Sequence, residues 1–263
     1  MAQIELTSDA MQSLPRIRFD WIFSILIKPK TTFEKILTLE NGVWFLPLTL
    51  LTVSAVLLVI ATAHVSIEAG LPVDQTLPPN FEYFPPQSQD QIRQAMEVVN
   101  GPIFRYLFPA IITTARVWLG WLIVASGLHF VLTLMGGRGS NRSVMNMTAW
   151  AGLPFALRDL LRIAYVLITQ QSIMYPGLSG FAPSNQVSIL TSGYAELLSL
   201  IDVYWFWHVI LLFVVVKTYR DLTLRKGVVA VLIIQIAALL IQIVPGLLSQ
   251  QLVGLSIIQP FFF

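Results

Sequence analysis

The sequence predicts an all-α membrane protein: a polytopic bundle of five transmembrane helices with short interfacial amphipathic helices. Hydrophobic residues make up 56% of the 263 positions and charged residues only 11%, whereas soluble domains carry about 25% charged residues. The apolar residues come in runs of spanning length that are separated by polar loops. Cysteine is absent, which excludes disulfides, thiol catalysis and cysteine-ligated metals.

The first part of the chain, residues 1–43, is predicted to be a cytoplasmic segment with interfacial helices. The apolar run Trp21–Ile27 is too short to cross a bilayer, and Pro29 separates it from a second short helix. We expect that helix to open at Thr31, because Thr31 and Glu34 stand at capping-box spacing. Two interpretations stay open for these helices: contact with lipid, or a cover packed on the bundle.

Residues 44–248 form the predicted five-helix transmembrane domain. The loop after the first span is acidic and proline-rich, then changes to an amphipathic surface helix. Residues 249–263 are expected to form an external apolar tail. The predicted spans are Trp44–Val65, Leu107–Met135, Val144–Thr169, Tyr194–Val216 and Val228–Leu248.

The third span carries charges in its second half: Arg158, Asp159 and Arg162. Pro154 follows Gly152, so a kink or break is expected there. The backbone carbonyls that this break frees are potential partners for an arginine. Arg158 and Arg162 share a helix face at i, i+4, and Asp159 reaches Arg162 at i, i+3.

The distribution of basic residues predicts the orientation. Eleven of the sixteen lie before the first span, between the second and third, or between the fourth and fifth, and basic loops face the cytoplasm. The N-terminus is therefore expected in the cytoplasm and, with five spans, the C-terminus outside.

This topology collects six charged residues in the outer half of the bundle, three of each sign. Intramembrane ions suggest function, such as a proton or ion path or an anionic headgroup site. The alternative is a structural salt-bridge network that fixes helix register, which the balanced charges favour. The members of this predicted charge cluster are Arg116, Arg158, Asp159, Arg162, Glu196 and Asp202.

The glycine-rich turn Gly136, Gly137, Arg138 and Gly139 is predicted to be a tight cytoplasmic turn that contacts lipid headgroups. It lacks the Gly-Lys-Ser/Thr ending of a phosphate-binding loop and follows a membrane helix, which argues against nucleotide binding.

No motif in the chain predicts catalysis, a cofactor or a metal. Residues 177–180 match the short G-x-S-G pattern of intramembrane proteases, but this serine lies in a proline-flanked outer loop. His64, His129 and His208 lie at different depths on three helices, which argues against a shared metal site.

Three segments in the same order resemble the Yip domain family, and the resemblance covers Phe19 to Leu248. They are LIKPKTTFEKILT, GGRGSNRSVMNMTAWAGLPFALRDLL and LIDVYWFWHVILLFVVVKTYRDLTLRKGVVAV. Yip domain proteins are five-span membrane proteins named for interaction with Rab-type GTPases in eukaryotes, and they are also widespread in bacteria. The resemblance implies an N-in, C-out bundle without established catalysis. Some bacterial members look like accessory subunits beside a MacAB-like ABC exporter.

From these observations we expect a non-enzymatic scaffold or regulatory subunit of a membrane assembly in a prokaryotic plasma membrane. Its expected partners are the lipid bilayer and other membrane proteins, with ABC transporter subunits as candidates and no nucleic acid. The alternative is a small transporter or lipid-handling protein that uses the charge cluster.

Overall fold

A computed structural model describes residues 18–39, 41–68, 81–183, 189–219 and 222–254. All regular structure in these ranges is helical, which confirms the predicted all-α class. The predicted external tail lies largely outside the described residues, since the last helix reaches Gly254. The α-helices are α1 (Asp20–Ile27), α2 (Pro29–Leu37), α3 (Phe45–Glu68), α4 (Pro86–Asn100), α5 (Phe108–Leu134), α6 (Asn141–Ala151), α7 (Leu153–Thr169), α8 (Ile189–Leu200), α9 (Val203–Lys217) and α10 (Leu224–Gly254).

Three stretches of the described chain are long and apolar enough to cross a membrane: Phe45–Val65, Ile103–Leu134 and Leu224–Val244. A fourth is added if α8 and α9, which are separated by a short break, form one bent span. The predicted third span is divided at Gly152 into helices of 11 and 17 residues, each shorter than the roughly 20 residues that a crossing needs. The described residues therefore contain three to four candidate spans, and the expected number of five stays a prediction.

The chain divides into two compact units. Unit 1 comprises residues 1–53, 117–157 and 203–238. Unit 2 comprises residues 54–116, 158–202 and 239–263. All six residues of the predicted charge cluster belong to unit 2, and the glycine-rich turn belongs to unit 1.

The core of unit 1 forms where α2, α6 and α9 pack together. Phe33 and Ile36 of α2, Trp150 of α6 and Leu212 of α9 are fully buried there. Helix α1 packs on α2, and its Trp21 ring meets the Trp150 ring edge-on, with centroids 5.6 Å apart. The two N-terminal helices are thus part of the core of unit 1.

The start of α2 differs from the expected one. The helix begins at Pro29, with Lys28 as its N-cap residue and without a side-chain cap. Thr31 lies within the first turn, where its hydroxyl donates to the Lys28 carbonyl over 3.1 Å. Proline is suited to the first helical position because its φ is already helical and its missing N–H is not needed there. The capping-box interpretation of Thr31 and Glu34 was therefore wrong.

The linker before α3 is held by side chains of α6. The buried Asn146 accepts a hydrogen bond from the Val43 N–H (2.9 Å) and donates one to the Asn41 carbonyl (3.0 Å). The Trp150 indole N–H donates to the Val43 carbonyl over 3.1 Å. The two bonds to Val43 satisfy backbone groups of a buried residue.

In unit 2, Ala61 and Val65 of α3 pack with Val166 of α7. The segment after α7 folds back on α8, where the Leu178 N–H donates to the carbonyls of Leu198 (2.9 Å) and Ile201 (3.1 Å). These bonds cap the C-terminal end of α8. Gly177 turns the chain there with φ +60°, and a Cβ at this position would lie 2.6 Å from the Ser199 carbonyl.

Candidate functional site

Four of the six predicted cluster residues lie together in unit 2. Helix α7 places Arg158, Asp159 and Arg162 within two turns, and Asp202 follows the end of α8. Arg158 Nε donates to Asp159 Oδ1 over 3.0 Å, and its Nη1 lies 3.7 Å from Asp202 Oδ2. Arg162 Nη2 donates to the same Asp202 oxygen over 3.2 Å. We call these four residues the paired quartet.

The paired quartet carries no net charge, because two guanidinium groups face two carboxylates. Asp202 forms ion pairs with both arginines and so connects α7 to the end of α8. Each arginine side chain retains 22% exposure, while the aspartates are more buried. Each charge therefore has an opposite charge within 4.0 Å, as low-dielectric surroundings require.

The other two predicted members lie apart from these bonds. Arg116 is exposed and Glu196 is half-buried, and no ion pair joins either to another residue in the described part of unit 2. The structure thus brings together four of the six residues.

The backbone carbonyl that is freed at the break between α6 and α7 does not bond an arginine, contrary to the expectation from the sequence. The Phe155 N–H bonds to the Gly152 carbonyl, so the Ala151 carbonyl lacks its helical donor. His208 Nδ1 lies 2.8 Å from that carbonyl oxygen. A carbonyl accepts only, so Nδ1 carries the proton and Nε2 accepts from the Gln235 amide over 3.3 Å. The freed carbonyl thus bonds a neutral histidine rather than an arginine.

The sequence places His208 only as one of three histidines at different depths, without a predicted role. It is buried in unit 1, with its ring 5.0 Å from that of Phe155. Three interruptions of apolar stretches could have indicated this contact in the sequence. They are the Gly152–Pro154 break and the polar residues His208 and Gln235. Gln235 of α10 is joined to α9 through its hydrogen bond with His208.

The glycine-rich turn caps one helix and opens the next. Gly136 has φ +95°, its N–H bonds to the Thr133 carbonyl, and the Gly137 N–H bonds to the Leu132 carbonyl, the pattern of a Schellman motif. Lys226 Nζ donates to the Met135 carbonyl over 3.0 Å, which places a cation at the negative end of α5.

At the other end of the turn, Ser140 Oγ accepts from the Ser143 N–H over 3.1 Å and so caps α6. Gly139 packs against the ring of Tyr219, which leaves no room for a Cβ. The Tyr219 hydroxyl is buried and has no hydrogen-bond partner among the described residues, and burial raises the pKa of Tyr219. Arg138 is exposed at the outer edge of the turn.

Comparison with protein-family models gives a match to the Yip1 domain over residues 23–244. The chain belongs to the Yip1 domain family. Searches of curated proteins and of solved structures found no match. The matched residues include the paired quartet, the glycine-rich turn and His208. This chain is therefore a Yip1-family membrane protein with several helices apolar enough to span.

Proposed function

We propose that this Yip1-domain protein is a non-enzymatic scaffold or regulatory subunit of a membrane assembly. The observation that supports it best is the pairing within the quartet. Asp202 is compensated by Arg162 at 3.2 Å and by Arg158 at 3.7 Å, so no substrate or ion is required to neutralise it. A cluster satisfied in this way fixes the arrangement of α7 and α8, as a scaffold needs.

We further propose that the protein resides in a prokaryotic plasma membrane with its N-terminus in the cytoplasm. The basic segments before α3, between α5 and α6, and between α9 and α10 support this orientation. Yip1-family proteins work with other membrane proteins, and a MacAB-like ABC exporter is the assembly that we propose to test first.

The test is affinity purification of the tagged full-length chain from native membranes in a mild detergent. We expect an ATPase, a permease and an adaptor to co-purify, and not with an equally tagged multi-pass protein of another family. Recovery of the chain alone after chemical cross-linking in intact cells would contradict the scaffold proposal. Recovery of a different membrane complex would retain the scaffold proposal and remove the ABC exporter.

A second function, a small transporter or lipid-handling protein, is favoured by one observation. The segment from α8 to α9 is interrupted at Ile201 and Asp202, and interrupted helices near buried charges form substrate sites in many transporters. Vesicles that contain the protein and an entrapped pH-sensitive dye test the proton-transporting form of this second function. The scaffold proposal expects proton flux equal to that of empty vesicles; flux that disappears with Asp202→Asn would favour the transporter.

A further inference from the structure

Helix α1 has two apolar faces, and only one of them is buried in the core of unit 1. Trp21 and Ile25 are buried in unit 1. Phe19, Phe23 and Ile27 are exposed by 65%, 72% and 74%. These three residues recur every fourth position and therefore line one side of the helix. Helix α1 and its N-cap residue Phe19 thus keep an exposed apolar stripe, which we define as Phe19, Phe23 and Ile27.

This stripe cannot belong to a spanning helix. Helix α1 has 8 residues, or about 12 Å of length at ~1.5 Å per residue. It ends at Ile27, and α2 then begins at Pro29. Helix α2 carries exposed charged side chains at Lys30, Glu34 and Lys35. Charged side chains of this kind are costly within hydrocarbon. The α1–α2 hairpin, residues 20–37, therefore fits the boundary between membrane and water.

The hairpin is also basic. Arg18 donates to Asp20 through Nε (2.9 Å) and Nη2 (2.8 Å), and this hydrogen-bonded guanidinium lowers the pKa of Asp20. That pair stays ionised and adds no net charge. Three lysines against Glu34 leave a net charge of +2 on residues 21–37. The lysines are all exposed: Lys28, Lys30 and Lys35.

We propose that the α1–α2 hairpin is a binding surface for anionic phospholipids of the bilayer that holds the protein. The apolar stripe enters the boundary of the acyl chains, and the lysines contact the phosphate groups above it. An anionic bilayer matches both features at once, because it places negative headgroups directly over apolar chains. This surface is independent of the proposed scaffold function, since it concerns lipid and not the protein partner.

The absence of native cysteine permits a direct test with single spin labels. The full chain with Phe23→Cys, labelled with a nitroxide, is reconstituted in phosphatidylcholine vesicles with or without phosphatidylglycerol. Collision with oxygen reports the membrane interior, and collision with a water-soluble nickel chelate reports water. The matched control is Glu34→Cys, an exposed polar position on the same hairpin.

With phosphatidylglycerol, we expect several-fold less nickel collision at position 23 than at position 34, and more oxygen collision. Combining Phe23→Cys with Lys28→Gln, Lys30→Gln and Lys35→Gln should reduce this difference. High salt should also reduce the difference between positions 23 and 34 in the chain with its lysines intact, because salt screens exposed charges. This measurement needs no further substitution. Strong nickel collision at position 23 in both vesicle types would overturn the proposal. Equal protection of position 23 from nickel in vesicles with and without phosphatidylglycerol would also overturn it. Spin–spin broadening at position 23, which would show contact with a second copy of the chain, would do so as well.

Discussion

The paired quartet shows how an apolar bundle tolerates ions. A charge in low-dielectric surroundings is stabilised only by a close opposite charge and good hydrogen bonds. Asp202 has two arginine partners, whereas Arg162 has Asp202 as its partner within the quartet. Loss of Asp202 therefore affects more of the network than loss of Arg162.

We predict that Asp202→Asn lowers stability by about 3–5 kcal/mol, since it removes the carboxylate charge that lies 3.2 Å from Arg162 and 3.7 Å from Arg158. Arg162→Met should cost less, because Asp202 keeps Arg158 at 3.7 Å. The double variant should be more stable than Asp202→Asn alone, as the Arg158–Asp159 pair remains. Unfolding in detergent measures all three, with the exposed Arg138→Met as the control. Strictly additive losses would show that Arg162 and Asp202 are not coupled.

For single residues, the sequence predicts how deep a charged side chain lies along its span, but not which side of the helix it faces. Counting along the predicted spans was enough to set Arg162 opposite Asp202. The same count could not show which way Arg116 or Glu196 faces, because helix rotation depends on packing of all neighbours. It also missed that a neutral histidine would reach the Ala151 carbonyl, which costs less than burying an arginine.

Among the elements, the glycine-rich turn combines two helix caps with close packing. Gly136 supplies the positive φ that ends α5, and Gly139 lets the turn approach Tyr219. Glycine is the residue that meets both needs without a steric penalty. The sequence predicted a tight turn from these glycines, but not their separate roles, because the Tyr219 contact is made across distant parts of the chain.

We predict that Gly139→Ala destabilises the protein by about 1–3 kcal/mol, the usual cost of overpacking, because the new methyl would overlap the Tyr219 ring. Gly120→Ala is the matched control, since nothing lies within 4 Å of a Cβ at that position in α5. Alanine there should be neutral or stabilising by up to about 1 kcal/mol. The comparison uses thermal midpoints in the same detergent. Equal midpoints for the two variants would contradict the packing role of Gly139.

At the scale of the whole molecule, the all-α class is confirmed, and the number of five spans stays a prediction. Long apolar runs such as those in α3 and α10 can be identified as candidate spans from composition alone. The stretch 141–169 contains a Gly-Pro break and three charges in its second half. Whether such a segment crosses depends on the pairing of Arg158 and Arg162 with Asp202, which local hydropathy does not record.

A measurement of membrane topology can show whether residues 141–169 cross the membrane. If it does, the segment after Thr169 lies outside, and the total of five spans places the two termini on opposite sides. If it does not, four spans return the C-terminus to the cytoplasmic side. We therefore predict that a reporter enzyme active only outside the membrane works when inserted after Met174 or fused after Phe263, and fails after Arg138 or Arg225. Insertion, rather than truncation, at Met174 keeps Asp202 available to the arginines of α7. Activity after Arg225 but not after Met174 would reverse the orientation or remove the third span, and activity after Arg138 would show which of these holds.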